Sequence, residues 1–280
     1  MAASSREFII VKHKIGKVES GESHVIVEKP VSLTVNGDFW VTLMCTPVDL
    51  DALAVGFLYN EGFISSMDDV ASVRVCPTQD NVDVWLNASV EKPTQWRQTT
   101  GCTGGVTSVS LEDESSYPKD GITLSAETLT RLIDQLLSAQ SLYKETGGVH
   151  TSALSDGESI LVAADDIGRH NSLDKIAGLC LLQDINPPRR VLLTTGRISS
   201  EMLQKAVRIG ASILISRTSP SSLAVEMAQK RGLTLVGYAR RDRFNIYTYP
   251  GRILFTSKED NHEFVNHFDD QEVDNLHKRM

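Results

Sequence analysis

Cysteine is scarce in this chain. Only four occur in 280 residues and no two stand in CxxC spacing, which argues against a disulfide scaffold and against a zinc ribbon. No apolar run approaches the roughly 20 residues needed to span a bilayer. The N-terminus, MAASSREFII, has neither the basic start nor the apolar stretch of a secretory signal, so the expected location is the cytoplasm and the sequon Asn87-Ala88-Ser89 has no meaning. GxxxxGK[ST] and GxGxxG are both missing. His262 and His267 stand five apart, not the four that would place two zinc ligands on one helix face. No H-x-E precedes a P-C-x-x-C, which excludes zinc-deaminase chemistry. Positive charge is also in deficit, with 28 Lys+Arg against 36 Asp+Glu and a net charge of −8, and this speaks against a broad nucleic-acid surface.

What is present is an ordinary globular composition, 41% hydrophobic and 23% charged, in a length that predicts about two domains. The charge is unevenly spread. Residues 186–252 hold 12 basic and 3 acidic residues, a net of +9. Residues 1–185 carry a net of −13, and the tail 256–280 a net of −4. Such a basic stretch is either solvated or lines a site for a polyanion.

Residues 1–24 show no clear period and read as a loosely attached arm. Runs rich in β-branched and aromatic residues at 25–35 and 39–45 flank Asn36-Gly37-Asp38, a hairpin signal. Thr46-Pro47-Val48-Asp49 predicts a helix start with Thr46 as the cap and Pro47 at the first helical position. Leu50, Leu53, Ala54, Phe57 and Leu58 continue at helical spacing, and Gly62 fits the stop. Strands near 72–76 and 82–86 complete an αβ module over 25–93. Periodicity is then lost over 94–121, and a loop of that length is functional or disordered.

Beyond it, Ser125 predicts a helix cap ahead of Leu129, Leu132, Ile133, Leu136 and Leu137. A hairpin is expected across Asp156-Gly157. Helices at 169–183, 200–209 and 221–231 alternate with strands at 191–195, 212–217 and 233–239, the pattern of an α/β layer with parallel strands over 122–255. The acidic tail 256–280 follows.

Cys102 stands apart from the other cysteines. Cys45, Cys76 and Cys180 lie in or beside apolar runs and read as small core residues. Cys102 sits in Thr100-Gly101-Cys102-Thr103-Gly104-Gly105, with no apolar neighbour and with Arg97 upstream to favour the thiolate. A hydrolase would need His150 or His170 brought beside it by folding. A disulfide oxidoreductase would need a cysteine where Gly105 stands. A persulfide carrier needs only nucleophilicity and mobility, and fits best.

Two polar clusters, Gly147–His150 and Asp165–Asn171, read either as functional or as a helix cap by Asp166 with buried hydrogen bonds around it. Three strand ends carry Arg and hydroxyl residues: Thr194–Arg197, Arg217–Pro220 and Tyr238–Arg243. Ligands of open α/β sheets bind beyond carboxyl strand ends, and arginine suits phosphate, so the three predict one anion pocket.

The glycine-flanked cysteine, GGVHTSAL, DDIGRHNSLDKIAG, TTGRISSEMLQKA, SRTSPSSLAVEMA, LTLVGYARRDRFNIYTYPGRI and the early TPVDLDALAVGFLYNEGFI together resemble the FdhD family of formate dehydrogenase accessory sulfurtransferases. The resemblance runs from about Glu28 to Ile253. It implies an α/β fold with a cytidine-deaminase-like layered sheet that lacks the zinc site, plus a smaller N-terminal αβ module. It implies sulfur transfer from a cysteine desulfurase to the bis-molybdopterin guanine dinucleotide cofactor of formate dehydrogenase, by a homodimer. Charge, hydropathy and motif content add the expectations of a cytoplasmic protein with no nucleic-acid or membrane partner and no metal bound by its own side chains. The persulfide cysteine of the family maps onto Cys102. Its cofactor-contacting stretch maps onto Tyr238, Ala239, Arg240, Arg241, Asp242 and Arg243. The family often has Phe-Cys-Lys-Pro-Gly-Arg there, so Arg243 carries over best. Members frequently have a second cysteine at the place of Gly105, which leaves a single-cysteine relay here. The alternatives are a non-catalytic chaperone for the cofactor and a hydrolase using Cys102 with His150 or His170.

Overall fold

The computed structural model describes residues 4–94, 97–98, 106–107 and 121–255, with backbone only at 97–98 and 106–107. Two strands, β1 (Ser5–Lys14) and β2 (Lys17–Ile26), pair antiparallel around Gly16. Residues 5–26 are therefore an ordered hairpin, where the sequence predicted an arm without period. Ile9, Val11 and Val18 are exposed, so no burial constraint imposes the alternation that would have announced strands.

β3 (Lys29–Val35) and β4 (Asp38–Cys45) form the predicted hairpin, with Asn36 at φ 50° and Gly37 at φ 89°, the positive values that a two-residue turn of this kind demands. α1 (Leu50–Asn60) follows, then β5 (Val70–Val75) and β6 (Asn81–Leu86), giving a four-stranded sheet in the order β4-β3-β6-β5. Val31, Leu33 and Val35 alternate onto the face that packs against Leu53, Phe57 and Leu58 of α1. The expected cap by Thr46 does not form. The helix begins at Leu50 after Asp49 in left-handed geometry, φ 49°, without a side-chain cap, because Thr46 is fully buried in a polar network described below.

Short strands β7 (Arg97–Gln98) and β8 (Val106–Thr107) pair antiparallel, and β9 (Leu124–Ser125) pairs with a late segment. α2 (Ala126–Ala139) is capped by Ser125 as predicted, and a short α3 (Ser141–Thr146), which the sequence did not announce, follows. The main sheet then assembles from β10 (His150–Ser155), β11 (Ile160–Asp166), β12 (Val191–Thr194), β13 (Ile213–Ser216), β14 (Thr234–Gly237) and β15 (Asn245–Ile246), separated by α4 (Arg169–Leu182), α5 (Ser200–Ile209) and α6 (Ser222–Arg231). Its order is β11-β10-β12-β13-β14-β15. β12, β13 and β14 run parallel, while β10, with β11 beyond it, and β15 attach antiparallel. A last strand, β16 (Ile253–Leu254), pairs parallel with β9.

Alternation along the central strands makes three layers. Leu192, Leu214 and Leu235 face α4, α5 and α6 through Ile176, Met202, Leu203 and Ala228. Val191, Leu193, Ile213, Ile215 and Val236 face the apolar stripe Leu129, Leu132, Ile133 and Leu136 of α2. The N-terminal module is joined to this core where α1 crosses α4. A Cβ at Gly56 would lie 1.7 Å from the Asp174 carbonyl oxygen, and one at Gly178 would lie 1.9 Å from that of Ala52. Backbone meets backbone there, which only glycine permits. α1 is consequently enclosed by its own sheet on one side and α4 on the other, which explains why it is buried nearly all round.

Candidate functional site

One edge of the main sheet collects the polar sequence motifs. The register pairs His150 with Asp166, Ser152 with Thr194, and Thr194 with Ser216. The start of β10 therefore stands in line with the carboxyl ends of β11, β12, β13 and β14. This is where ligands of open α/β sheets bind, and the predicted convergence of three Arg-bearing strand ends is seen.

Short hydrogen bonds stitch the edge together. Ser152 Oγ meets Ser172 Oγ at 2.8 Å and donates to Thr194 Oγ1 at 3.0 Å. Thr151 Oγ1 donates to Asp165 at 2.5 Å, and the Thr151 amide donates to Thr195 Oγ1. Ser216 Oγ donates to the Gly196 carbonyl at 2.6 Å and accepts from the Thr218 amide. The buried hydroxyls thus satisfy one another and the turns, leaving longer side chains to face outward.

The 238–243 segment is the loop between β14 and β15, closed by the Arg240 amide donating to the Arg243 carbonyl at 2.8 Å. Tyr238 is exposed in left-handed geometry, φ 50°. Ala239 is fully buried and contributes backbone alone to this face. The Arg240 guanidinium donates to the carbonyls of Arg217 and Ala239. Arg241 pairs with Asp134 of α2 at 2.6 Å, and Arg243 lies 3.7 Å from Asp242, both pairs exposed. Arg217 is partly buried, and its Nε has no partner among the described residues. Burial, with the charges of Arg240 and Arg241, holds its guanidinium below the usual range. The strand ends of β13 and β14 therefore concentrate positive charge around an unsatisfied donor, a fit for an oxyanion.

The histidines occupy the other end of the same edge. His170 is buried and held at about 2, chiefly by burial and then by the charges of Lys205, Arg169 and His150. His150 is lowered by burial and by Arg169 and Arg197. Both shifts disfavour the protonated imidazole. Cys102 and its glycines lie outside the described residues, as does the Arg97 side chain. Of the other cysteines, burial pushes the Cys45 thiol up to about 12 and the Cys180 thiol up to about 11, so both stay protonated and inert. Cys76 is tied to Asp80 at 2.9 Å.

Beneath the edge lies a polar core that sequence spacing did not expose. Asp166 is fully buried and does not cap α4 through its first turn alone. It accepts from Gly168 N at 2.7 Å, Asn171 Nδ2 at 3.0 Å and Thr46 N at 3.1 Å, and pairs with Lys175 at 2.8 Å. Lys175 Nζ also donates to the carbonyls of Thr46 and Asp165. Thr46 Oγ1 accepts from Ile167 N. Thr46 and Asp166 are 120 residues apart, so no local pattern could link them. A second buried group joins Asp174 to Lys205 at 2.6 Å and to Asn60 at 2.7 Å. Burial raises the Asp174 carboxyl against the pull of Lys205. Both networks tie the N-terminal module to α4, the helix that starts at the site.

Residues 26–254 match the FdhD/NarQ family. Two curated relatives, each called sulfur carrier protein FdhD, from Staphylococcus aureus strains MRSA252 and Newman, are 36% identical over 251 residues, covering 88% of this chain and 95% of theirs. A solved structure described as a formate dehydrogenase accessory protein from Desulfotalea psychrophila superposes with a TM-score of 0.78 at 30% identity, over 90% of this chain and all of that one. A match across most of the length, in sequence and in fold together, leaves one conclusion: the chain belongs to the FdhD/NarQ family.

Proposed function

We propose that the protein is a sulfur carrier accessory to formate dehydrogenase, with Cys102 as the carrying thiol and the arginine-bearing strand ends as the seat of a guanine-nucleotide cofactor. The relatives' names support the sulfur and formate dehydrogenase parts. The observation that carries the binding part is the convergence of Arg217, Arg240 and the 238–243 loop on one edge, with the buried Arg217 Nε unpartnered. The bis-molybdopterin guanine dinucleotide is here the client that receives sulfur.

In the first step the Cys102 thiolate attacks the terminal sulfur of a cysteine desulfurase persulfide. The donor S–S bond breaks, the donor cysteine leaves as a thiolate, and a new S–S bond forms on Cys102, with no net redox change. Releasing that sulfur as sulfide takes two electrons. An external thiol supplies them and leaves Cys102 in a mixed disulfide. Arg240, Arg243 and Arg217 hold the nucleotide phosphates meanwhile. The protein acts in the cytoplasm as a homodimer in this reading.

The hydrolase alternative loses ground because both candidate histidines are depressed by burial and cationic neighbours. The test is restoration of formate dehydrogenase activity in cells lacking their own accessory protein. Wild-type protein restores it and Cys102→Ala leaves it at background. Full restoration by Cys102→Ala favours instead a chaperone that binds the cofactor without carrying sulfur.

A further inference from the structure

The β1–β2 hairpin leaves much apolar surface uncovered. Phe8, Ile9, Val11, Ile15, Val18 and Val25 are all exposed, Ile9 by 83% and Ile15 completely. Phe8–Val11 is an unbroken apolar run, so both faces of the hairpin carry apolar side chains. Neither strand has a third strand beside it among the described residues. A lone two-stranded hairpin is marginal in water, and a long apolar edge invites pairing with another chain. The ties of this arm to the body lie at its base. Ser5 Oγ donates to Glu145 of α3 at 2.5 Å, His24 Nδ1 lies 3.2 Å from the same carboxylate, and Ile26 packs against Gly148.

The two ends of the arm differ in charge. The tip, 12–17, reads Lys-His-Lys-Ile-Gly-Lys, with three lysines and no carboxylate, although residues 1–185 as a whole net −13. The base borders a cavity of about 300 Å³. Val48, Leu142 and Ala163 give that cavity apolar walls, and Asp49, Glu145 and Asp165 line it with carboxylates. Burial raises the Asp165 carboxyl and the charge of Asp49 adds to the rise, so an arriving cation is favoured there. An apolar side chain flanked by lysines complements an apolar cavity edged with carboxylates. A ten-residue strand spans about 30 Å, which keeps the tip of an arm away from the cavity at its own base.

We propose that the arm is the contact surface between two copies of this chain, laid antiparallel so that each tip, Ile15 foremost, seats in the cavity at the base of the other arm. Area agrees with this occupant. The six exposed apolar residues leave roughly 700 Å² uncovered per chain, and two arms covering each other remove about 1,400 Å², the size of a stable interface. The same packing sets Lys12 and Lys14 of each copy near the carboxylates of the other. This gives the homodimer of the functional reading its contact surface. It rests on that reading for the number of copies and is independent of Cys102.

The test is sedimentation of the full chain, joined to cross-linking. Wild type should sediment as a dimer. Ile9→Glu with Val11→Glu changes two exposed positions and should raise the dissociation constant tenfold or more, with the circular dichroism spectrum unchanged. Lys12→Glu with Lys14→Glu should weaken association in the same direction. Lys14→Cys with Ser141→Cys, which lines the cavity, should form a disulfide between chains under mild oxidation. A non-reducing gel then shows a covalent dimer that neither single substitution gives. Weakened association without that cross-link overturns the seating of the tip in the cavity. A dimer that survives the arm substitutions overturns the arm contact while the homodimer stands. A monomeric wild type overturns both, with the sulfur-carrying role of Cys102 judged separately by restoration of activity.

Discussion

At the scale of single residues, the chain places charge where water is absent. Lys175 and Asp166 are both fully buried, and each depends on the other and on the carbonyls and amides around it. Removing one partner leaves an uncompensated charge, which costs far more than the pair gains over an apolar replacement. Lys175→Met should therefore lower unfolding free energy by about 3–5 kcal/mol, read from the urea midpoint. His170 acts in the opposite sense. Its folded value of about 2 lies below an ordinary unfolded value of about 6.5, so the unfolded chain takes up the proton first on acidification. His170 leaves stability unchanged above about pH 6.5 and erodes it below, with a slope approaching 1.4 kcal/mol per pH unit, roughly the value of one proton. His150, held low for the same reason, adds in the same direction. Urea midpoints followed from about pH 7 to pH 5 should fall less steeply for His170→Gln than for wild type.

At the scale of elements, what could be read from sequence was what depends on near neighbours. Asn36-Gly37 turns a hairpin, Ser125 caps α2, and Gly210 and Gly232 end α5 and α6 at φ 81° and 69°. These signals work because cap and turn geometry is settled within four or five residues. Thr46 misled for an instructive reason. It has the chemistry of a cap and the position of one, yet its backbone and hydroxyl are engaged by Asp166, Ile167 and Lys175 from the other module. The arginines of the site were legible because they recur at successive strand ends. The pairing of His170 with Ser199 was not, since 29 residues and a strand lie between them. The α1–α4 crossing was equally hidden, although it depends on two glycines. Gly56→Ala or Gly178→Ala would force backbone apart where a Cβ has under 2 Å. Each should cost about 3 kcal/mol or more, the upper range of overpacking, seen as a lowered melting temperature. An unchanged melting temperature would mean the helices do not meet so closely.

At the scale of the whole molecule, net charge alone misdirects. A chain at −8 looks unsuited to a phosphate-rich ligand, but its basic residues are concentrated in 186–252. The parallel order of β12, β13 and β14 turns that stretch into one edge, with α4 opening onto it and the N-terminal module anchored behind it through Asp166 and Asp174. In the function proposed above, that arrangement holds the client and Cys102 carries the sulfur. The most direct test is mass spectrometry of the protein after incubation with a cysteine desulfurase and cysteine, without reductant. The account predicts one added sulfur, about 32 mass units, on the peptide containing Cys102, and none in Cys102→Ala. The same adduct on Cys102→Ala, or on Cys76 in place of Cys102, would contradict it.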